Sequence, residues 1–204
     1  VPLPAKLLTL PCVLANCESI NEKVASYIPD DEQGQYTAVH ALLAEGYRQP
    51  LCLHLPVDHL ATTRRRQGLE RACYEAGLDP NSLEHSYMAF GDEHYRDIPS
   101  VLLAHIQNGI PRFDSVICGN DRIALMVYQT LLAQGLRIPQ DIAVIGYDNM
   151  VGIGELFLPP LSTVQLPHYE IGRLSALHII KGENHRETTR VESPFLMRDS
   201  VAHL

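Results

Sequence analysis

Apolar and polar positions alternate along the chain in two ways, as short unbroken apolar runs and as longer stretches with helical spacing. The run Pro11–Ala15 predicts a short buried strand, and the mixed segment Ser19–Pro29 predicts a loop. From Asp31 to Glu45, Ala38, Val39, Leu42 and Leu43 recur at helical spacing, and Gly46 supplies a stop. Leu51–Leu55 predicts a strand. Thr62 or Thr63 predicts the cap of a helix running to about Ala76 and closed by Gly77. Glu84–Phe90 then predicts a strand, Tyr95–Gln107 a helix and Ser115–Cys118 a strand. Asp121–Gln134 predicts a helix with Ile123, Ala124, Val127 and Leu131 on one face. Ile142–Gly146 predicts a strand, followed by an irregular stretch, Tyr147–Leu161, that holds Pro159 and Pro160. Ser162–Gln165 predicts a strand, Tyr169–Lys181 a helix ended by Gly182, and Thr189–Met197 a last strand interrupted by Pro194.

Strands alternating with helices of about a dozen residues predict βαβ units and a mostly parallel sheet. In such sheets ligands bind beyond the carboxyl ends of the strands. Four predicted strands end in polar residues there: Asn16, the segment His59–Arg66, the pair Asn120-Asp121 and the pair Asp148-Asn149. If the strand ends face one another, these groups converge.

Composition narrows the function classes. The chain has 204 residues, of which 46% are hydrophobic, enough for a real core rather than disorder. Its formal net charge of −8 repels phosphate backbones, so any contact with DNA must come from another segment. Five cysteines are an odd number. Cys12, Cys52 and Cys118 sit in apolar runs, which predicts buried free thiols in a reducing compartment. The N-terminus shows no signal-peptide pattern, and no stretch approaches a membrane helix. These features predict a cytoplasmic protein with no membrane partner.

Catalytic signatures are absent from the sequence. Gly152-Ile-Gly154 has Phe157 where a dinucleotide loop needs its third glycine, and there is no GxxxxGK, GxSxG or HExxH. The loop Gly91-Asp-Glu-His-Tyr95 reads either as a set of metal ligands or, more simply, as a solvated connection. The ten histidines show no ligand spacing, so no metal, cofactor or catalytic residue is expected. The groups at the strand ends suit binding instead. Arginine offers a planar fork of donors for vicinal hydroxyls, Asp148 can accept two hydroxyl protons, and Asn16 and Asn120 both donate and accept. That mixture matches a sugar. Each group also has a plainer reading: a helix cap for Asn120-Asp121, a turn for Asp148, a solvated helix face for Arg64-Arg-Arg66.

The segments Pro11-Cys-Val-Leu-Ala-Asn16, Leu42-Leu-Ala-Glu-Gly-Tyr47, Arg65-Arg-Gln-Gly68 and Cys118-Gly-Asn-Asp121 resemble the effector-binding domain of the LacI/GalR family of repressors. So do Ile138-Pro-Gln-Asp-Ile-Ala-Val-Ile-Gly-Tyr-Asp148 and Pro159-Pro-Leu-Ser-Thr-Val164. The spelling of Ser26–Asp31 and Phe157–His168 is similar to the sucrose-responsive branch of that family. The resemblance implies an α/β, periplasmic-binding-protein-like fold: two Rossmann-like lobes with parallel sheets and a sugar between them. Residues 1–29 with 164–182 would form a truncated N-terminal lobe, and residues 30–163 with 183–204 the C-terminal lobe. The helix-turn-helix would lie outside this chain.

On that resemblance Arg65, three residues before Gly68, is the arginine that clamps the ligand. Asn120 is the ligand-binding asparagine before a helix, Asp148 the aspartate after Gly-Tyr, and Asn16 the polar residue after the first strand. Tyr95 is placed in the loop where family members often set a ring against the sugar, with Glu93 competing for that slot. Leu166 stands where the family often has glutamine, before Pro167, so Gln165 is the nearest candidate for that contact. The implied partners are sucrose or a fructose-type sugar, operator DNA through the helix-turn-helix, and a second copy in a homodimer. Two other readings stand beside this one: a periplasmic-type sugar-binding protein of a transport system, and an α/β enzyme using Asp148 or Asp121 as base.

Overall fold

The apolar runs in the middle of the chain become parallel strands where they lie between two neighbours and under helices, so that backbone pairing and side-chain burial are satisfied together. The computed structural model describes residues 1–202, and its contacts divide into two units. The first is Val1–Asp30 with Leu166–Ser193, and the second Asp31–Gln165 with Pro194–Leu204. In chain order the strands and helices are β1 (Val13–Ala15), β2 (Ala25–Pro29), α1 (Asp31–Ala44), β3 (Pro50–His54), α2 (Leu60–Glu75), β4 (Glu84–Tyr87), α3 (Ile98–Ala104) and the hairpin β5 (Ile106–Gln107) with β6 (Ile110–Pro111). There follow β7 (Ser115–Cys118), α4 (Asp121–Ala133), β8 (Ala143–Asp148), β9 (Ser162–Gln165), α5 (His168–Lys181), β10 (Thr188–Val191) and β11 (Phe195–Leu196).

The first unit is a parallel sheet of order β1-β2-β10, with α5 packed on β1 and β2. Its small core joins Tyr27, Ile171 and Val191. The predicted loop Ser19–Pro29 is corrected here, because Ala25–Pro29 is the central strand with all five residues buried. Nothing in Ala-Ser-Tyr-Ile-Pro announces this. Pairing on both sides, with Ala15 opposite Tyr27 and Thr189 opposite Tyr27, is what makes it a strand.

The second unit is a sheet of order β11-β9-β8-β7-β3-β4, parallel except for β11. The chain steps from β3 out to β4, then returns to β7 and continues through β8 to β9. Right-handed crossovers in opposite directions place helices on both faces. Accordingly α2 packs on α1, while α3 packs on α4, which lies on β7 and β8. β3 and β7 are buried along their whole length. Their side chains meet Ile123, Val127, Leu131, Ile142 and Leu161 in one core.

Several boundaries differ from expectation. The last predicted strand is two: Thr188–Val191 pairs with β2, and beyond Pro194 the chain pairs with β9. Residues 183–193, expected in the C-terminal lobe, therefore belong to the first unit, and residues 164–165 to the second. α2 starts at Leu60 after His59, and Thr62 is no cap, since its hydroxyl donates to the Pro56 carbonyl at 2.9 Å. The helix predicted from Tyr95 begins at Ile98. Tyr95 lies in a 3-10 turn, Asp92–Asp97, and Ile106–Gln107 enters the hairpin. All five cysteines are free; Cys52, Cys73 and Cys118 are buried, whereas Cys12 is only half-buried. Among the described residues no helix is long and apolar enough to cross a membrane.

α1 and α2 approach closely at Gly68. A Cβ there would stand 2.1 Å from the Glu32 carbonyl oxygen and 2.8 Å from the Tyr36 backbone nitrogen. Both obstacles are backbone, so the helices must separate to admit a methyl group. Gly68→Ala is expected to lower stability by about 2–3 kcal/mol, read as the midpoint of urea unfolding. An unchanged midpoint would contradict this packing.

Candidate ligand-binding site

The strand order of the second unit reverses between β3 and β7, and the carboxyl ends of strands at such a reversal form a crevice suited to ligands. Arg65 reaches this point from α2, the helix that follows β3. Its guanidinium is buried, at 8% residue exposure, so it must be paired. Nε donates to Asp31 at 2.8 Å and Nη1 to the Gly119 carbonyl at 2.7 Å. Its carbon lies 3.5 Å from the centroid of the Tyr147 ring, a cation–π contact. Asp31 is the first residue of α1, where the helix dipole favours a carboxylate. Arginine 65 is thus held from three sides. Arg66 turns elsewhere, to Glu70 at 2.7 Å and to the Tyr87 hydroxyl.

Asn120 takes the helix-cap role that its plainer reading gave it. Its extended backbone (φ −159°) places it as the cap of α4, and its Oδ1 accepts from the Ile123 amide at 2.9 Å. That bond fixes the amide, so Nδ2 donates to the Tyr95 hydroxyl at 2.6 Å. Tyr95 lies under the Arg122 guanidinium, 4.2 Å from its ring centroid. Of the two residues competing for the ring slot, Tyr95 is the one joined to the strand-end cluster, and Glu93 is exposed.

Asp148 ends β8 and faces Gln165 across the ladder with β9. It has φ 117°, and Asn149 follows at 47°. Non-glycine residues held at positive φ are strained, and such strain gathers at functional sites. Burial, opposed by the Arg65 guanidinium and reinforced by Asp121 and Asp31, pushes the Asp148 carboxyl up to about 7. Asp121 plays a different part. Burial raises it too, but Thr163 donates to it at 2.7 Å and the Met150 amide at 2.9 Å. Both oxygens are spent tying α4 to β9 and to the loop after β8, which removes Asp121 as a candidate base.

The second unit therefore gathers Arg65, Asn120, Tyr95, Asp148 and Gln165 along adjacent strand ends. Gln165 is exposed, and its backbone N–H donates to the Pro194 carbonyl at 2.8 Å. Asn16 belongs to the first unit, exposed at the end of β1 with φ 58°, its backbone N–H donating to the Tyr27 carbonyl at 2.9 Å. Sequence reasoning missed Asp31 and Tyr147, both of which hold Arg65. The first looks like an ordinary helix start and the second like a core aromatic.

The loop Gly91–Tyr95 is solvated: His94 pairs with Asp97 at 2.9 Å, and Asp92 with Arg122 at 2.9 Å. The expectation that histidines lack ligand spacing needs correction. Cys52, His54 and His85 converge, as do His178, Glu183 and His185. In the first group the nitrogens are already used. His85 Nε2 donates to the Pro80 carbonyl at 2.9 Å, so its Nδ1 accepts from His54 Nε2 at 2.8 Å. Burial, with His85 and Arg66 beside it, brings His54 down to about 3, and burial pushes the Cys52 thiol up. His54 and the Cys52 thiol are thus held uncharged in the core.

Residues 2–199 match the family described as periplasmic binding proteins and the sugar binding domain of the LacI family. The chain is 54% identical over 201 residues to the sucrose operon repressors of Escherichia coli and Shigella flexneri, covering 98% of this chain and 61% of theirs. It thus spans about three fifths of the length of these curated relatives. Among solved structures, a protein from Rhizobium etli described as a LacI-family regulator superposes with a TM-score of 0.82 at 29% identity, covering 95% of this chain and 71% of that one. A LacI-family regulator from Enterococcus faecium, solved with bound ribose, gives 0.81 at 27% identity, covering 98% and 73%.

Proposed function

The chain belongs to the family of periplasmic binding proteins and LacI-type sugar-binding domains, and from that premise we propose that it is the effector-sensing core of a repressor that answers to sucrose or a fructose-type sugar. The observation that carries this is the preset arginine at the switch point. Two of the five N–H groups of Arg65 serve Asp31 and Gly119; the proposal assigns its Nη2 edge to vicinal hydroxyls of the sugar. Asp148 accepts from hydroxyls, Asn120 exchanges with them, and Tyr95 offers its ring. Gln165 lies next to Asp148 at the end of β9. Asn16 enters on sequence resemblance alone, and Asn16→Ala is its own test.

The similarity to sucrose operon repressors supports the choice of sugar. Operator DNA is contacted by a helix-turn-helix outside this acidic chain, in a cytoplasmic homodimer. A sugar shifts DNA affinity only as far as it binds the two states differently. Calorimetric titration of the full-length protein with sucrose, fructose and glucose tests the reading. Saturable binding of sucrose or fructose is expected, and absence of binding by all three overturns it.

A further inference from the structure

We propose that Glu183, His178 and His185 form a binding site for one divalent transition metal of the zinc class on the first unit. The sequence builds it from a helix end. α5 stops at Gly182, which takes the left-handed conformation (φ 64°) that closes a helix at low cost for glycine. The Glu183 amide then bonds back to the His178 carbonyl at 3.0 Å, and the chain folds over the last turn. This brings Glu183 and His185 beside His178, and all three beside Tyr27 of β2.

The spacing of the donor atoms is what distinguishes a site from a hydrogen-bonded cluster. Glu183 Oε2 lies 3.3 Å from His185 Nε2 and 3.7 Å from His178 Nδ1. The Tyr27 hydroxyl lies 3.3 Å from His178 Nδ1 and 3.4 Å from His185 Nε2. Good hydrogen bonds between such atoms are shorter, about 2.7–3.2 Å. Atoms bound at about 2.0–2.1 Å to a tetrahedral ion stand about 3.3–3.4 Å apart. Four of the separations among these donors thus lie at 3.3–3.7 Å, close to the edge length of a tetrahedral site. Two imidazoles and one carboxylate are a donor set that zinc and its neighbours take up readily. Calcium and magnesium prefer oxygen alone.

Access and support are both present. His178 is buried, at 4% exposure, and so fixed in place, whereas Glu183 and His185 face solvent. The three ligands line an open groove of about 420 Å³ that also holds Lys23 and Arg186. A bound ion would tie the end of α5 and the loop 182–187 to β2.

The test is zinc titration of chelator-stripped full-length protein against a chromophoric competitor, with melting temperature as a second readout. One zinc ion per chain is expected, with a raised melting temperature. In His185→Ala and Glu183→Gln the affinity should fall by at least about tenfold, and the zinc-dependent rise in melting temperature should disappear. Both residues are exposed, so the variants should fold. Zinc bound through cysteines elsewhere would persist in them. Absence of stoichiometric zinc in the parent protein, or affinity unchanged in His185→Ala, overturns the site.

Discussion

Arg65→Ala is expected to weaken sugar binding by at least about 100-fold and to destabilise the second unit by about 3–5 kcal/mol, the usual penalty for stripping one partner from a buried ion pair. The two effects have separate origins. Binding is lost with the donor fork. Stability is lost because Asp31, 4% exposed, loses the guanidinium 2.8 Å away, and because the Gly119 carbonyl and the face of Tyr147 lose their partner. A double-mutant cycle separates them. Asp31→Asn with Arg65→Ala should recover part of the stability but none of the affinity, since the stranded carboxyl group is gone and the fork is still missing. Arg65→Lys should keep the charge and still bind weakly, because an ammonium cannot span two hydroxyls in one plane. Urea unfolding and calorimetry on the same samples give both numbers. Undiminished sugar binding in Arg65→Ala would remove the arginine, and with it the proposed site.

Much of this was legible before any coordinates. β7 falls where its apolar run placed it, since a strand buried on both faces reads as an unbroken run whatever its neighbours are. α4 and α5 agree to within a residue, α4 through its helical periodicity and the Asn120 cap and α5 through its stop at Gly182. Asn120 and Asp148 do lie at the ends of β7 and β8, as their polar position after an apolar run suggested, since topology brings those ends to one edge of the sheet.

The rest depends on tertiary partners. β2 is a strand because β1 and β10 flank it, and β10 is 159 residues beyond Pro29 at its start, Thr188. The break at Pro194 assigns two halves of one predicted strand to different sheets for the same reason. Asp31 reads as a helix start until α2 lays Arg65 against it. The grouping of His178, Glu183 and His185 needs the reversal at Gly182, whose left-handed turn is visible as a stop but not as a direction.

Asp148 carries the second large prediction, and its sign is set by burial. Its carboxyl is ordinarily half-protonated near 3.8 and is pushed up to about 7 in the fold. Between those values the unfolded chain has released the proton and the folded chain still holds it. The folded state binds more protons there, so stability falls as pH rises from about 4 to 7 and levels off above. At about 1.4 kcal/mol per unit, the fall is on the order of a few kcal/mol. Asp148→Asn should remove that slope and be the more stable form at pH 8. Asparagine also tolerates positive φ better than most residues, so the φ of 117° need not change. Sugar binding should move the opposite way. Only the ionised carboxylate accepts hydroxyl protons on both oxygens, so a ligand that needs it must supply the cost of deprotonation below pH 7. At pH 5 only about one molecule in a hundred is ionised, so affinity should be up to roughly 100-fold weaker than at pH 8. In Asp148→Asn the affinity should be low and flat across the same range. Calorimetry at pH 5, 6, 7 and 8 reads both curves, and an equal pH dependence in the parent and the variant would mean that Asp148 does not face the sugar as a carboxylate.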